Sequence, residues 1–374
     1  MGKLDFAANS KPTLGVELEL GIVDAETFAL TSAFPDLVAR VPAEHQSLYK
    51  PELMQSVIEV ITGVCDTVAD VERDLTAKLT TLEEAADQVG LRLWWGATHP
   101  FSSWIDQRVT QDERYLNLVE LLQETARRLV TNGLHIHVGV DSGDKAVMIC
   151  DRIMQHLPAL LALSCSSPFW EGRDTGLQSQ RSKIMENLPT AGLPPLMRNW
   201  SEYTWLVNQM VDTGFINTIR EIWWDVRPHH NFGTVEVRVC DMPGNLEDVL
   251  GIAAYVQCLV KTLSDLIDQG AYQHDCHPMM VRQNKWRAGR YGIRAKLVNS
   301  FSYDVESLSL VVNSIIEKLV PAAQELDCVE QLEHVRLMAS SRTWADRQLE
   351  IFRQTGDPRQ IVAQLTEQSR VSPR

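Results

Sequence analysis

Three short apolar stretches each carry two ionisable residues at spacing i, i+2. They are Glu17 and Glu19 within residues 15–20, His135 and His137 within residues 134–138, and Glu236 and Arg238 within residues 234–239. Side chains alternate along a strand, so each pair shares one face while the valines, leucines and isoleucines take the other. If the three strands share one sheet, its polar face gathers three glutamates, two histidines and an arginine. That set suits divalent metal and phosphate. For any single pair, a solvated sheet face is the competing explanation.

Each pair has its own chemistry. Neighbouring carboxylates such as Glu17 and Glu19 hold hard cations like Mg²⁺, which favour oxygen ligands and bridge to phosphates. His135 and His137 raise zinc, but no cysteine or third histidine stands nearby at ligand spacing. One histidine as a mixed-site ligand and the other as a phosphate donor fits better. Glu236 and Arg238 form either a plain salt bridge or a metal ligand beside an anion-binding guanidinium. Asp241, at the end of that stretch, reads as a turn residue. A fourth acidic pair, Glu52 and Glu59, includes a carboxylate inside Val57-Ile58-Glu59-Val60-Ile61. Burying it unpaired is costly, so a cation is expected beside it. Arg181, and Lys285, Arg287 and Arg290 around Trp286 and Tyr291, are surface charge by default. They are also candidates for holding a nucleotide, whose base could stack on the interleaved aromatic rings. The run from His274 to His277 reads as a solvated loop.

The elements that must position these groups are mixed. Strands are expected over residues 13–23, 57–61, 91–97 and 234–240, with the His-x-His strand between the second and fourth. Helices are expected over 68–90, 114–130 and 145–163, the last broken or kinked by Pro158. Residues 164–195 form an irregular segment, a candidate lid or binding segment, and the chain from Leu246 is mainly helical. No regular βαβ alternation and no glycine-rich phosphate loop appears, which implies an α+β fold with an antiparallel sheet.

Composition narrows the partners. The 374 residues are 44% hydrophobic and 22% charged, as in an ordinary globular protein. With 35 Lys+Arg against 49 Asp+Glu, the net charge of -14 argues against a nucleic-acid partner. Seven cysteines without a CxxC pair fit reduced, mostly buried thiols. The N-terminal residues form no apolar signal, and the most apolar run, residues 157–165, is short and holds Pro158, so a cytoplasmic protein without membrane contact is expected.

Taken in order, residues 13–19, 98–101, 113–115, 133–139, 189–195, 227–241 and 286–292 resemble the glutamate–cysteine ligase type 2 family of carboxylate–amine ligases, related to glutamine synthetase. The resemblance spans about residues 13–292, ahead of a helical part over 293–374, and implies one catalytic domain with a curved antiparallel sheet flanked by helices. It also implies ATP and two or three Mg²⁺ ions. The γ-carboxylate of glutamate would be phosphorylated, and the amino group of cysteine would displace phosphate to give γ-glutamylcysteine and ADP. By the same resemblance, Glu17 and Glu59, with Glu52, would hold one metal, and Glu19, His135 and Glu236 another. His137 would touch the ATP phosphates, Arg238 the transferring phosphoryl group, and Arg227 a phosphate or substrate carboxylate. A homo-oligomer is compatible with it. Two rivals keep the ionisable set: phosphoryl transfer to a nitrogen, as in phosphagen kinases, and a non-catalytic ATP- and metal-binding protein.

Overall fold

A computed structural model describes residues 4–271, 277–299 and 302–371. The expected solvated loop from His274 through Cys276 lies outside the described residues. One sheet organises the molecule. Its strands are β1 (Leu14–Asp24), β2 (Tyr49–Pro51), β3 (Val57–Ile61), β4 (Leu91–Trp94), β5 (Gly133–Gly139), β6 (Val226–His229) and β7 (Thr234–Asp241). They run in the order β6-β7-β5-β1-β3-β2, with β4 also paired to β1, and every pairing is antiparallel. This is the α+β arrangement that the alternating strands imply.

The apolar half of the alternation makes the core. Val16, Leu18, Leu134, Ile136, Val138, Val235 and Val237 are all unexposed. They share one cluster with Val249, Ile252, Ala253 and Val256 of the helix Leu246–Asp268. Each such side chain stabilises the fold by about 1.5–3 kcal/mol relative to exposure. Because one face of each strand is committed to this cluster, a one-residue slip in register would turn the carboxylates inward.

Helix α1 (Val68–Gln88) starts at Thr67, whose hydroxyl caps the Asp70 amide while the Asp70 carboxylate reaches back to Thr67. The expected helix over 114–130 is instead interrupted. Gln123 adopts φ 52°, so α2 (Glu113–Leu122) stops there and a short turn, Glu124–Arg127, follows. Helix α3 (Gly143–Ile153) passes through a tight turn into α4 (Leu157–Ser164). Pro158 stands in the first turn of α4, where its missing N–H is unneeded, so the break precedes the proline.

Part of the segment 164–195 is anchored against the end of β7. Ser166, Ser167 and Ser179 all hydrogen-bond the buried Asp241 carboxylate, and Arg181–Met185 forms the short helix α5. Asp241 is therefore a buried hub rather than a turn residue. Beyond β7 come α6 (Leu246–Asp268), α7 (Pro278–Tyr291) and four further helices to Gln368.

Two stretches, Gly143–Ser164 and Leu246–Asp268, are long and apolar enough to cross a membrane, which the sequence did not lead one to expect. Both are mostly buried, so their apolar faces meet the chain itself. The described cysteines, Cys65, Cys150, Cys165, Cys240, Cys258 and Cys328, are free and buried.

Candidate active site

Register brings the ionisable pairs together. Strand β1 lies between β5 and β3, setting Glu17 opposite His135 and Glu19 opposite Glu59. One strand farther, Glu236 lies opposite His137, and Arg227 on β6 lies opposite Glu236. Cross-strand partners share a face, so these side chains line one surface. Between Val237 and Cys240 the β7 register shifts by one extra residue. Arg238 falls at that bulge, unpaired with β5 but still donating its N–H to the Asp225 carbonyl, and its guanidinium reaches Glu236 and lies 3.5 Å from His135 Nδ1.

The Glu17 carboxylate bridges the two histidines, 3.2 Å from His135 Nδ1 and 3.3 Å from His137 Nε2. Glu19 accepts the Gly133 N–H, and its other oxygen lies 3.7 Å from His135 Nε2. With its Nδ1 beside Glu17, the His135 ring turns Nε2 toward Glu19. Thr234 Oγ1, 2.9 Å from His137 Nδ1, orients the second ring likewise. His135 Nε2 and His137 Nε2 are buried and make no hydrogen bond among the described residues.

Three sets of ligand atoms lie within 4.8 Å of one another: Glu17, Glu59 and His135; Glu17, His137 and Glu236; and Glu19, Glu52 and Glu59. Carboxylate oxygens, joined in two of the sets by an imidazole nitrogen, suit a divalent cation. The grouping differs from the one the family resemblance implied. Proximity keeps Glu17 with Glu59 but groups Glu52 with Glu19, and Glu236 with Glu17 and His137.

The electrostatics divide the face. Burial, reinforced by the Glu19 carboxylate, pushes Glu52 up to about 8. Glu59 is likewise raised by burial and by Glu52, Glu17 and Glu19. Burial would also raise Glu17, but the adjoining imidazoles of His135 and His137 outweigh it and hold its carboxyl well below the usual range. Glu236 behaves the same way, with Arg227 and Arg238 overcoming its burial. One end of the face thus has too much negative charge, and the other is already balanced.

The cations separate by what holds them. Arg227 is fully engaged: Nε and Nη2 donate to Glu236 at 2.7 and 3.2 Å, and Nη1 donates to the Ile222 carbonyl at 2.6 Å. Lys285 is buried and paired with Asp225 at 2.5 Å and Glu186 at 2.9 Å, so it is not a free cation. Arg181 is buried, with its guanidinium against Gly133 and the Arg238 carbonyl. Arg287 donates to the Lys296 carbonyl, and Arg290 lies over the Tyr291 ring. Neither of those two arginines touches the polar face through any described contact.

Sequence reasoning passed over Thr234, Gly133 and Asp225. Thr234 precedes Glu236 at the same alternation, so its orientation was available as a signal. Asp225 carried no such signal; its carbonyl accepts the Arg238 N–H at 2.8 Å while its carboxylate pairs with Lys285.

The glutamate–cysteine ligase family 2 model matches residues 13–364, which includes most of the helical tail. The chain belongs to that family. A Gloeobacter violaceus relative named "Putative glutamate--cysteine ligase 2" is 42% identical over 365 residues, covering 97% of this chain and 98% of its own. A Frankia alni relative with a similar name is 40% identical over 371 residues, covering 98% and 97%. Among solved structures, a Francisella tularensis glutamate–cysteine ligase in complex with AMP superposes with a TM-score of 0.73 at 13% identity, covering 97% of this chain and 90% of that one. A bifunctional glutathione synthetase from Pasteurella multocida gives 0.72 at 16% identity, over 96% of this chain and 52% of that one. At those identities the likeness is one of fold.

Proposed function

We propose that the polar face of the sheet is the active site of an ATP-dependent carboxylate–amine ligase, with glutamate and cysteine as its substrates. The observation that carries this reading is the convergence of Glu17, Glu19, Glu52, Glu59, His135, His137 and Glu236 in three overlapping sets able to hold a cation, with Arg238 beside Glu236. Family membership supports it.

Glu17, Glu19, Glu52, Glu59, His135, His137 and Glu236 would hold Mg²⁺, which neutralises phosphate charge and orients the nucleotide. A γ-carboxylate oxygen of glutamate attacks the terminal phosphorus of ATP in line, forming γ-glutamyl phosphate and releasing ADP. The amine then attacks the acyl carbon, the C–O bond to phosphate breaks, and the amine gives up a proton as the amide forms. Arg238 would meet charge developing on the transferring phosphoryl group, since it shares the face with Glu236 by strand alternation while Arg227 donates to both Glu236 oxygens and the Ile222 carbonyl. Glu17 fixes the orientation of both imidazoles.

Coupled ADP detection with glutamate and a panel of amino-acid amines tests the class. ADP release is expected only when an amine is present, and greatest with cysteine. Absence of amine-stimulated turnover across the panel would refute the ligase reading.

A further inference from the structure

The turn joining β6 to β7 carries a stack of rings at the rim of the polar face. Phe232 lies parallel to His229, with centroids 4.2 Å apart and planes 13° off. His230 lies nearly parallel to His229 as well, at 6.2 Å and 20°. Both His229 and Phe232 meet the His137 ring edge-on, at 5.4 and 5.6 Å. Phe232 remains 58% exposed, so a large apolar ring is open to solvent one ring away from the cation-binding groups.

The turn is built to hold that ring. The Phe232 N–H donates to His229 Nδ1 at 3.3 Å, which keeps that nitrogen an acceptor. Asn9 Nδ2 donates to the Phe232 and Gly233 carbonyls at 2.7 and 2.9 Å, and the Ala7 N–H donates to the His230 carbonyl. Gly233 closes the turn at φ 62°, where a Cβ would fall 1.5 Å from the Ala7 oxygen.

We propose that Phe232, backed by His229, is the stacking platform for the purine base of the nucleotide, an assignment that rests on the ATP-dependent reading above. A flat, exposed aromatic ring suits a base, whose π-face is uncharged, better than it suits an amino-acid substrate with its ammonium and carboxylate groups. The phosphates belong on the cation-binding side of His137, which leaves the base to reach the rim on the other side of that ring. The alternative aromatic pair, Trp286 and Tyr291, meets edge to face at 6.1 Å and 85°, and no described contact ties it to the polar face. It offers no parallel platform.

Calorimetric titration with ATP·Mg²⁺ and with tripolyphosphate·Mg²⁺ tests this, because the second probe has no base. For Phe232→Ala, ATP affinity should fall about tenfold while tripolyphosphate affinity stays unchanged. Phe232→Trp should restore ATP binding. The platform is overturned if Phe232→Ala binds ATP as wild type does, or if both probes weaken equally, since the ring would then only hold the turn. If wild type shows the base-dependent binding but no amine-stimulated ADP release, the ligase reading falls and the platform stands. If wild type binds no ATP, both fall.

Discussion

Replacing Arg227 by methionine should destabilise the fold more than its distance from any reacting atom would suggest. The Glu236 side chain is only 1% exposed, and Arg227 gives it two charge-assisted hydrogen bonds while tying down the Ile222 carbonyl. Removing one member of a buried pair costs about 3–5 kcal/mol, mostly because the other charge stays buried without its partner. Arg238 still reaches Glu236, and His137 Nε2 lies 3.9 Å away, so the low end, about 3 kcal/mol, is expected. That corresponds to a shift of about two powers of ten in the unfolding equilibrium. Urea unfolding in the presence of a chelator, followed by the fluorescence of the ten tryptophans, measures it. A second arm checks the cause. Adding Glu236→Gln to Arg227→Met removes the stranded charge, so the double variant should recover much of the loss. A single variant within about 1 kcal/mol of wild type, or a double variant no better than the single one, would refute the argument from a stranded carboxylate.

Two further outcomes follow from the same geometry. Glu17 belongs to two of the three cation-binding sets and Glu52 to one, so the rise in melting temperature on adding Mg²⁺ should shrink more in Glu17→Gln than in Glu52→Gln. Equal or reversed losses would contradict the assignment. His99 is buried and pushed down to about 3, with Nε2 3.0 Å from the Phe28 carbonyl and Nδ1 accepting the Ser102 N–H. The unfolded chain takes up that proton near pH 6.5 and the folded chain does not until about pH 3. The stability from the neutral ring is therefore complete above pH 6.5 and is lost as pH falls, about 2 kcal/mol of it by pH 5. In His99→Gln, unfolding free energies should drop by about that much less between pH 7 and 5, and an unchanged drop would remove His99 as the cause.

Much of the candidate site was legible because strand alternation has an integral period. Glu17/Glu19, His135/His137 and Glu236/Arg238 could be sorted to one face without coordinates, and Glu59 betrayed itself as a carboxylate among four β-branched residues. The cationic cluster was read less well. Lys285 looked free because its partners, Asp225 and Glu186, lie 60 and 99 residues away in the chain, where no local pattern can announce them. Asp241 looked like a turn residue because the serines that saturate it come from the irregular segment 164–195, 62 to 75 residues earlier in the chain.

The amino-acid order by itself determined which side chains face together within each strand, since that follows from backbone stereochemistry over a few residues. It also determined the class of elements, from hydrophobic period and caps. Only the tertiary structure decided which strand lies beside which, and in what register. Those choices come from burying one continuous apolar face against α6, a free energy summed over residues from Val16 to Val256. Register, in turn, set Glu17 between two imidazoles rather than beside Glu59 alone. Register likewise set Arg227 opposite Glu236, which made it a structural partner of that carboxylate.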